Sequence, residues 1–123
     1  MKNLTNKEEE IMIFFWQKGP LFVKEIQDLY ADPKPHINTI STIVRILEDK
    51  GFVGHESLGK TYRYFAIVSE EQFKNRTLKG VIQKYFNSSY LGAVSSLIQE
   101  EEISVDELKK FIEKVEKAHS KKQ

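Results

Sequence analysis

The chain has 123 residues, 40% hydrophobic and 30% charged, which suits one ordinary domain or a small domain with a helical appendage. Without cysteine it has no disulfide, thiolate metal site or cysteine nucleophile; no apolar run approaches the ~18 residues of a membrane helix, and MKNLTNKEEE is too polar for a secretion signal, so a cytoplasmic protein without membrane insertion is expected. The formal net charge is only +1, and residues 1–69 are neutral (seven Lys with Arg45 and Arg63 against nine Asp and Glu), so any nucleic-acid affinity must come from where cations are placed.

Thr5 followed by Glu8 forms a capping box that opens a helix through about Lys18, with Glu8 and Glu9 favourably placed in its first turn. Ile11, Met12, Phe14, Phe15 and Trp16 make this helix apolar around much of its circumference, so it belongs in the core. Gly19-Pro20 stops it, Leu21-Phe22 reads as a short extended segment, and a second helix runs from Val23 to about Ala31 with Ile26, Leu29 and Tyr30 inward. Phe22 stands where a Ser or Thr cap is usual. The prolines of Asp32-Pro33-Lys34-Pro35 mark a loop, after which His36 or Asn38 caps the next helix.

That helix, Asn38–Lys50 closed by Gly51, organises the chain. Ile40, Ile43, Val44 and Leu47 recur at i, i+3, i+4, i+7, with Ile46 broadening the apolar face. Asn38, Ser41, Thr42 and Arg45 hold the same spacing on the other side. A solvated face normally carries long Glu and Lys side chains in i,i+4 pairs. Short hydroxyl and amide groups suit close approach to a surface such as the DNA major groove, although a core helix with a polar outer face has the same pattern.

After Gly51 the period changes to two. Phe52–Glu56 reads as a strand, Ser57-Leu58-Gly59-Lys60 as a turn and Thr61–Val68 as the return strand. Three helices followed by a hairpin is the element order of a winged helix-turn-helix, with Gly59-Lys60 as the wing tip. A long cation on a projecting turn reaches phosphate without being desolvated, which favours Lys60 as a contact. Arg63 either contacts DNA or pairs with Glu56 across the hairpin. His55 and His36 are open between phosphate contact and plain surface positions.

Ser69 with Gln72 caps a fourth helix through about Phe86, and Asn87-Ser88-Ser89 breaks it. A fifth runs from Tyr90 to about Glu100 with Leu91, Val94, Ser95, Leu97 and Ile98 as its stripe. Ser104 and Glu107 cap the sixth, which carries Leu108, Phe111, Ile112 and Val115 on one side before a frayed tail, His119–Gln123. Three such helices without a sheet bury their stripes poorly alone, and pairing with a second copy solves that; a two-fold dimer also matches a palindromic operator. The predicted fold is mostly α with a small β-hairpin: a winged helix-turn-helix over residues 1–69 and a three-helix dimerisation domain over 70–123.

Catalysis has little support. His36, His55 and His119 lack metal-ligand spacing with carboxylates, there is no Gly-rich phosphate loop or nucleophile motif, and Glu100-Glu101-Glu102 reads as a solvated helix end. No cofactor is expected. A rival to DNA binding is a winged-helix protein-interaction module, which the neutral charge permits.

LTNKEEEIMIFFW, VKEIQDLY, NTISTIVRILEDKGFV and TYRYFAIVS together resemble the penicillinase-repressor family (BlaI/MecI/CopY type), and the likeness extends over almost the whole chain. The resemblance implies a dimeric winged-helix repressor of a palindromic double-stranded operator. Thr39, Ser41, Thr42 and Arg45 match the family's recognition-helix stretch, so Asn38, Thr39, Ser41, Thr42, Arg45, Lys60 and Arg63 form the expected DNA-binding set. Leu91, Val94, Leu97, Leu108, Phe111, Ile112 and Val115 form the expected dimer set. The family's copper-responsive branch carries a C-terminal cysteine pair that this chain lacks, excluding that kind of copper sensing. In its β-lactam branch a membrane sensor protease cuts an Asn-Phe bond in the dimerisation domain; here alignment places Ser96-Leu97 there.

Overall fold

The computed structural model describes residues 3–122, with side chains to residue 118; the side chains of the expected tail, His119 to Gln123, lie outside the described residues. Six helices and a three-stranded antiparallel sheet divide into two units, Met1–Arg76 and Thr77–Gln123.

The first unit begins with α1 (Asn6–Lys18), opened by the Thr5–Glu8 capping box: Glu8 N–H donates to Thr5 Oγ1 at 3.2 Å, and Thr5 N–H donates to Glu8 Oε1 at 2.7 Å. β1 (Leu21–Phe22) follows, then α2 (Val23–Leu29), α3 (Ile37–Asp49), β2 (Val53–Leu58) and β3 (Thr61–Ala66). α2 stops at Leu29, two residues short of the expected Ala31, because Tyr30 turns to an extended conformation. Phe22 caps α2 without a side-chain acceptor; only the reciprocal half of the box exists, with Phe22 N–H donating to Glu25 Oε1 at 2.9 Å.

The core is built from one face of each element: Ile11, Met12 and Phe15 of α1, Ile26 of α2, Ile40, Val44 and Leu47 of α3, and Leu21, Phe52, Val53 and Tyr64 around the sheet. Ile46, expected to broaden the inner face of α3, is instead 40% exposed. The core takes a narrow stripe of α3, and Ile46 lies one turn beyond Thr42 on its outer side.

The sheet has the order β1-β3-β2, so the expected hairpin gains a third strand, with Leu21 opposite Tyr64 and Phe22 opposite Arg63. β2 and β3 pair from Val53–Ala66 out to Leu58–Thr61. Ser57 and Leu58 therefore belong to the strand, and the turn shrinks to Gly59-Lys60. Gly59 takes φ +66 while Lys60 does not adopt positive φ, the Gly-first pattern of a two-residue type II′ hairpin loop. The first unit also takes in the start of α4 (Glu70–Tyr85), because Phe73 packs on Trp16 (ring centroids 5.6 Å) and edge-on to Phe52 (6.1 Å).

In the second unit α4 ends at Tyr85, the chain turns at Asn87 and Ser88, both at positive φ, and Ser89 Oγ accepts from Gly92 N–H at 3.0 Å to cap α5 (Tyr90–Gln99). Glu100-Glu101-Glu102 is indeed the exposed end of α5. Ser104 and Glu107 cap α6 (Val105–Lys122), which continues past the expected fraying at His119 because no Gly or Pro interrupts it. Nothing in α5 is buried within one chain.

Candidate nucleic-acid interface

His36 caps α3: its Nδ1 accepts from Asn38 N–H at 3.1 Å, so this ring is committed to the helix start. Asn38, Thr39, Thr42 and Arg45 are exposed and Ser41 is half-buried, so the short polar row lies along the outer side of α3. Thr42 Oγ1 donates to Asn38 O at 2.9 Å and Arg45 Nε to Ser41 O at 3.3 Å. These local bonds hold the side chains along the helix while leaving the Arg45 fork open. Ile46 also lies on this side, exposed, and its i+4 spacing from Thr42 was the available signal for that placement.

A concave recess of about 740 Å³ separates this row from the sheet, lined by Phe22, Val23, Lys24 and Glu25, by Ile37, Asn38, Ser41 and Arg45, and by Thr61, Tyr62 and Tyr64. Tyr64 forms part of the core, whereas Tyr62 is half exposed. Burial, reinforced by the nearby charge of Glu48, pushes the Tyr64 phenol above its ordinary value, with Arg45 pulling the other way. The Tyr64 phenol is therefore a neutral hydrogen-bonding group on this wall at ordinary pH.

Several cations of the first unit are already engaged. Lys50 is bound to Glu8, Arg63 to Glu56, Lys24 to Asp28, and Lys34 Nζ donates to the carbonyls of Asp28 and Tyr30. Arg45 and Lys60 form no ion pair among the described residues. One open cation thus lies on α3 and another at the exposed wing tip. Arg63 adopts the pairing alternative: its Nε donates to Glu56 Oε1 at 2.7 Å, on the hairpin face opposite Tyr62 and Tyr64 by strand alternation. His55 also has a specific partner, with Nδ1 2.6 Å from Glu48 Oε2.

The second unit carries the other expected set. Leu91 is 82% exposed and Phe111 62%, with Leu97, Ile112 and Val115 also exposed and Val94 and Leu108 half-buried. Ser96 and Leu97 lie within α5 rather than in a loop. Among the described residues no helix is long and apolar enough to cross a membrane, and no cluster of three His, Cys, Asp or Glu could hold a metal ion.

Three helices, a glycine-tipped wing and a short-chained polar helix face define a winged-helix DNA-binding transcriptional regulator. The family model described as Penicillinase repressor matches residues 4–117, and the chain belongs to that family of transcriptional repressors. Similar curated proteins include the Methicillin resistance regulatory protein MecI of Mammaliicoccus sciuri, of Staphylococcus aureus (strain N315) and of Staphylococcus epidermidis. Each is 28% identical over 112 residues, covering 88% of this chain and 89% of the relative.

Proposed function

We propose that this repressor binds a palindromic operator as a homodimer, with α3 reading the major groove and the β2–β3 wing anchoring on phosphate. The observation that carries the reading is the exposed row Asn38, Thr39, Thr42 and Arg45 with an unpaired Lys60 at the wing tip. Asn and Arg supply donors and acceptors for base edges, and Arg45 and Lys60 supply the salt-dependent attraction to the backbone. Ser41 sits deeper in the recess and orients Arg45 through its carbonyl. Arg63 is held by Glu56 and would contact phosphate only by giving up that pair.

Residues 70–123 would form the dimer. A monomer leaving Leu91 and Phe111 so exposed presents an apolar surface of the kind that marks an interface. Cleavage between Ser96 and Leu97 by a membrane sensor protease would release repression, since loss of the dimer removes the avidity of two half-sites. Because that bond is helical, the protease would first have to open α5, which has no buried residue to resist it in one chain.

The test is fluorescence anisotropy on the protein's own promoter region against scrambled DNA at several salt concentrations. Preference for the promoter with a steep salt slope supports the reading. Equal weak binding to both would refute it and bring forward the protein-interaction module.

A further inference from the structure

We propose that His55 is a positioning residue for DNA binding, locking the wing to the reading helix through Glu48 so that Lys60 is presented at a fixed place. This rests on the DNA-reading proposal above and deepens it.

The wing needs such a lock because its outer half has little support. β1 pairs with β3 only at Tyr64 and Arg63. Beyond that point, from Ser57–Tyr62 to Leu58–Thr61, the sheet is a two-stranded ribbon. A lone two-stranded ribbon is marginal in water, and its direction is set by whatever ties its base.

His55 sits at that base, directly opposite Tyr64 in the ladder. Its Nδ1 is 2.6 Å from Glu48 Oε2, and since a carboxylate can only accept, the ring donates from Nδ1. The same ring stacks on Tyr62 with centroids 4.3 Å apart and planes 28° apart, and lies 5.6 Å from Tyr64. Tyr62 is the diagonal neighbour on the same face, two pairs further out, so the stack carries the constraint into the unsupported ribbon. Glu48 is one turn from Arg45 on α3. One imidazole thus joins the helix that carries Arg45 to the ribbon that carries Lys60. Both side chains are only about a third exposed, at 32% for His55 and 31% for Glu48, so the bond is shielded from full solvent competition.

His55 need not touch DNA to matter: it acts through Lys60. Losing one phosphate contact per protomer lowers the salt slope by about 0.9 for each protomer and weakens binding to all sequences. His55→Phe keeps an aromatic ring for Tyr62 and removes the Glu48 bond. Expected is a loss of affinity no greater than that of Lys60→Ala, a salt slope shallower by up to about 0.9 per protomer, and no additional loss when His55→Phe is introduced into Lys60→Ala. A purely structural role would lower the unfolding midpoint and leave the salt slope unchanged. Promoter anisotropy is measured on wild type, His55→Phe, Lys60→Ala and the double variant, with Trp16 fluorescence confirming a folded first unit. Should His55→Phe fail to fold, His55→Thr, a good strand former on the edge strand β2, removes the bond and the stack together. Wild-type affinity and slope in the His55 variant, or losses that simply add in the double variant, would overturn the proposal. A wild type that does not distinguish promoter from scrambled DNA would overturn the DNA-reading proposal instead.

Discussion

Replacing Lys50 with Met tests what holds α3 against α1. Lys50 is the C-cap of α3, and its Nζ donates to Glu8 Oε1 at 2.8 Å, to Glu8 Oε2 at 3.0 Å and to Asn3 O at 3.0 Å. Glu8 is 4% exposed and belongs to the first turn of α1, so this pair joins two helices at the edge of the core. Burial alone would raise the Glu8 carboxyl; hydrogen bonds from Lys50 and Thr5, with the Lys50 charge, outweigh it and hold the group below its ordinary 4.5. Lys50→Met leaves a buried carboxylate with only its Thr5 bonds. Removing one partner of a fully buried pair costs about 3–5 kcal/mol, and the 21% exposure of Lys50 reduces that to about 2–3 kcal/mol. With a slope near 1 kcal/mol/M in urea, the midpoint should fall by roughly 2–3 M. Trp16, the only tryptophan, stacks on Phe73 and donates to Val68 O at 3.0 Å, so its fluorescence reports the first unit. A lowered carboxyl pKa stabilises the fold above the unfolded value and loses that contribution as pH falls through the folded one. The difference between wild type and Lys50→Met should therefore shrink below about pH 4.5. Adding Glu8→Gln should restore part of the loss at neutral pH. A midpoint within about 0.5 M of wild type, with unchanged slope, would refute the reasoning.

Arg45→Ala should cost about 1–3 kcal/mol on the operator and relax preference at one base position; an equal loss on scrambled DNA would make Arg45 a phosphate anchor only. Phe111→Asp, at a position 62% exposed in the single chain, should shift the protein to monomer in sedimentation without moving the Trp16 transition, and a retained dimer would place the interface elsewhere. Burial, with the adjacent Glu10 carboxylate that accepts from its hydroxyl at 3.2 Å, pushes the Tyr30 phenol up to about 12. That contribution is complete below the unfolded value of 10.0 and is lost as pH rises toward 12, so Tyr30→Phe should lose less stability than wild type across that window; parallel curves would dismiss the coupling.

Much of this protein is written in local chemistry. The three capping boxes, the Gly19-Pro20 stop and the change of period after Gly51 depend on neighbouring residues only, so α1, α3, α4 and α6 start where their side chains can satisfy free N–H groups. The polar row on α3 was legible for the same reason, since 3.6-residue periodicity separates buried Ile40, Val44 and Leu47 from exposed Asn38, Thr42 and Arg45. Family membership was likewise legible in the motifs that the family model matches. What only the tertiary structure decided involves partners distant in sequence. Glu8 with Lys50, His55 with Glu48 and β1 beside β3 are unions that no local pattern specifies. Ile46 shows the same limit from the other direction: periodicity assigns an apolar residue to a helix face, but the width of the stripe that is covered depends on how many neighbours the fold brings against it.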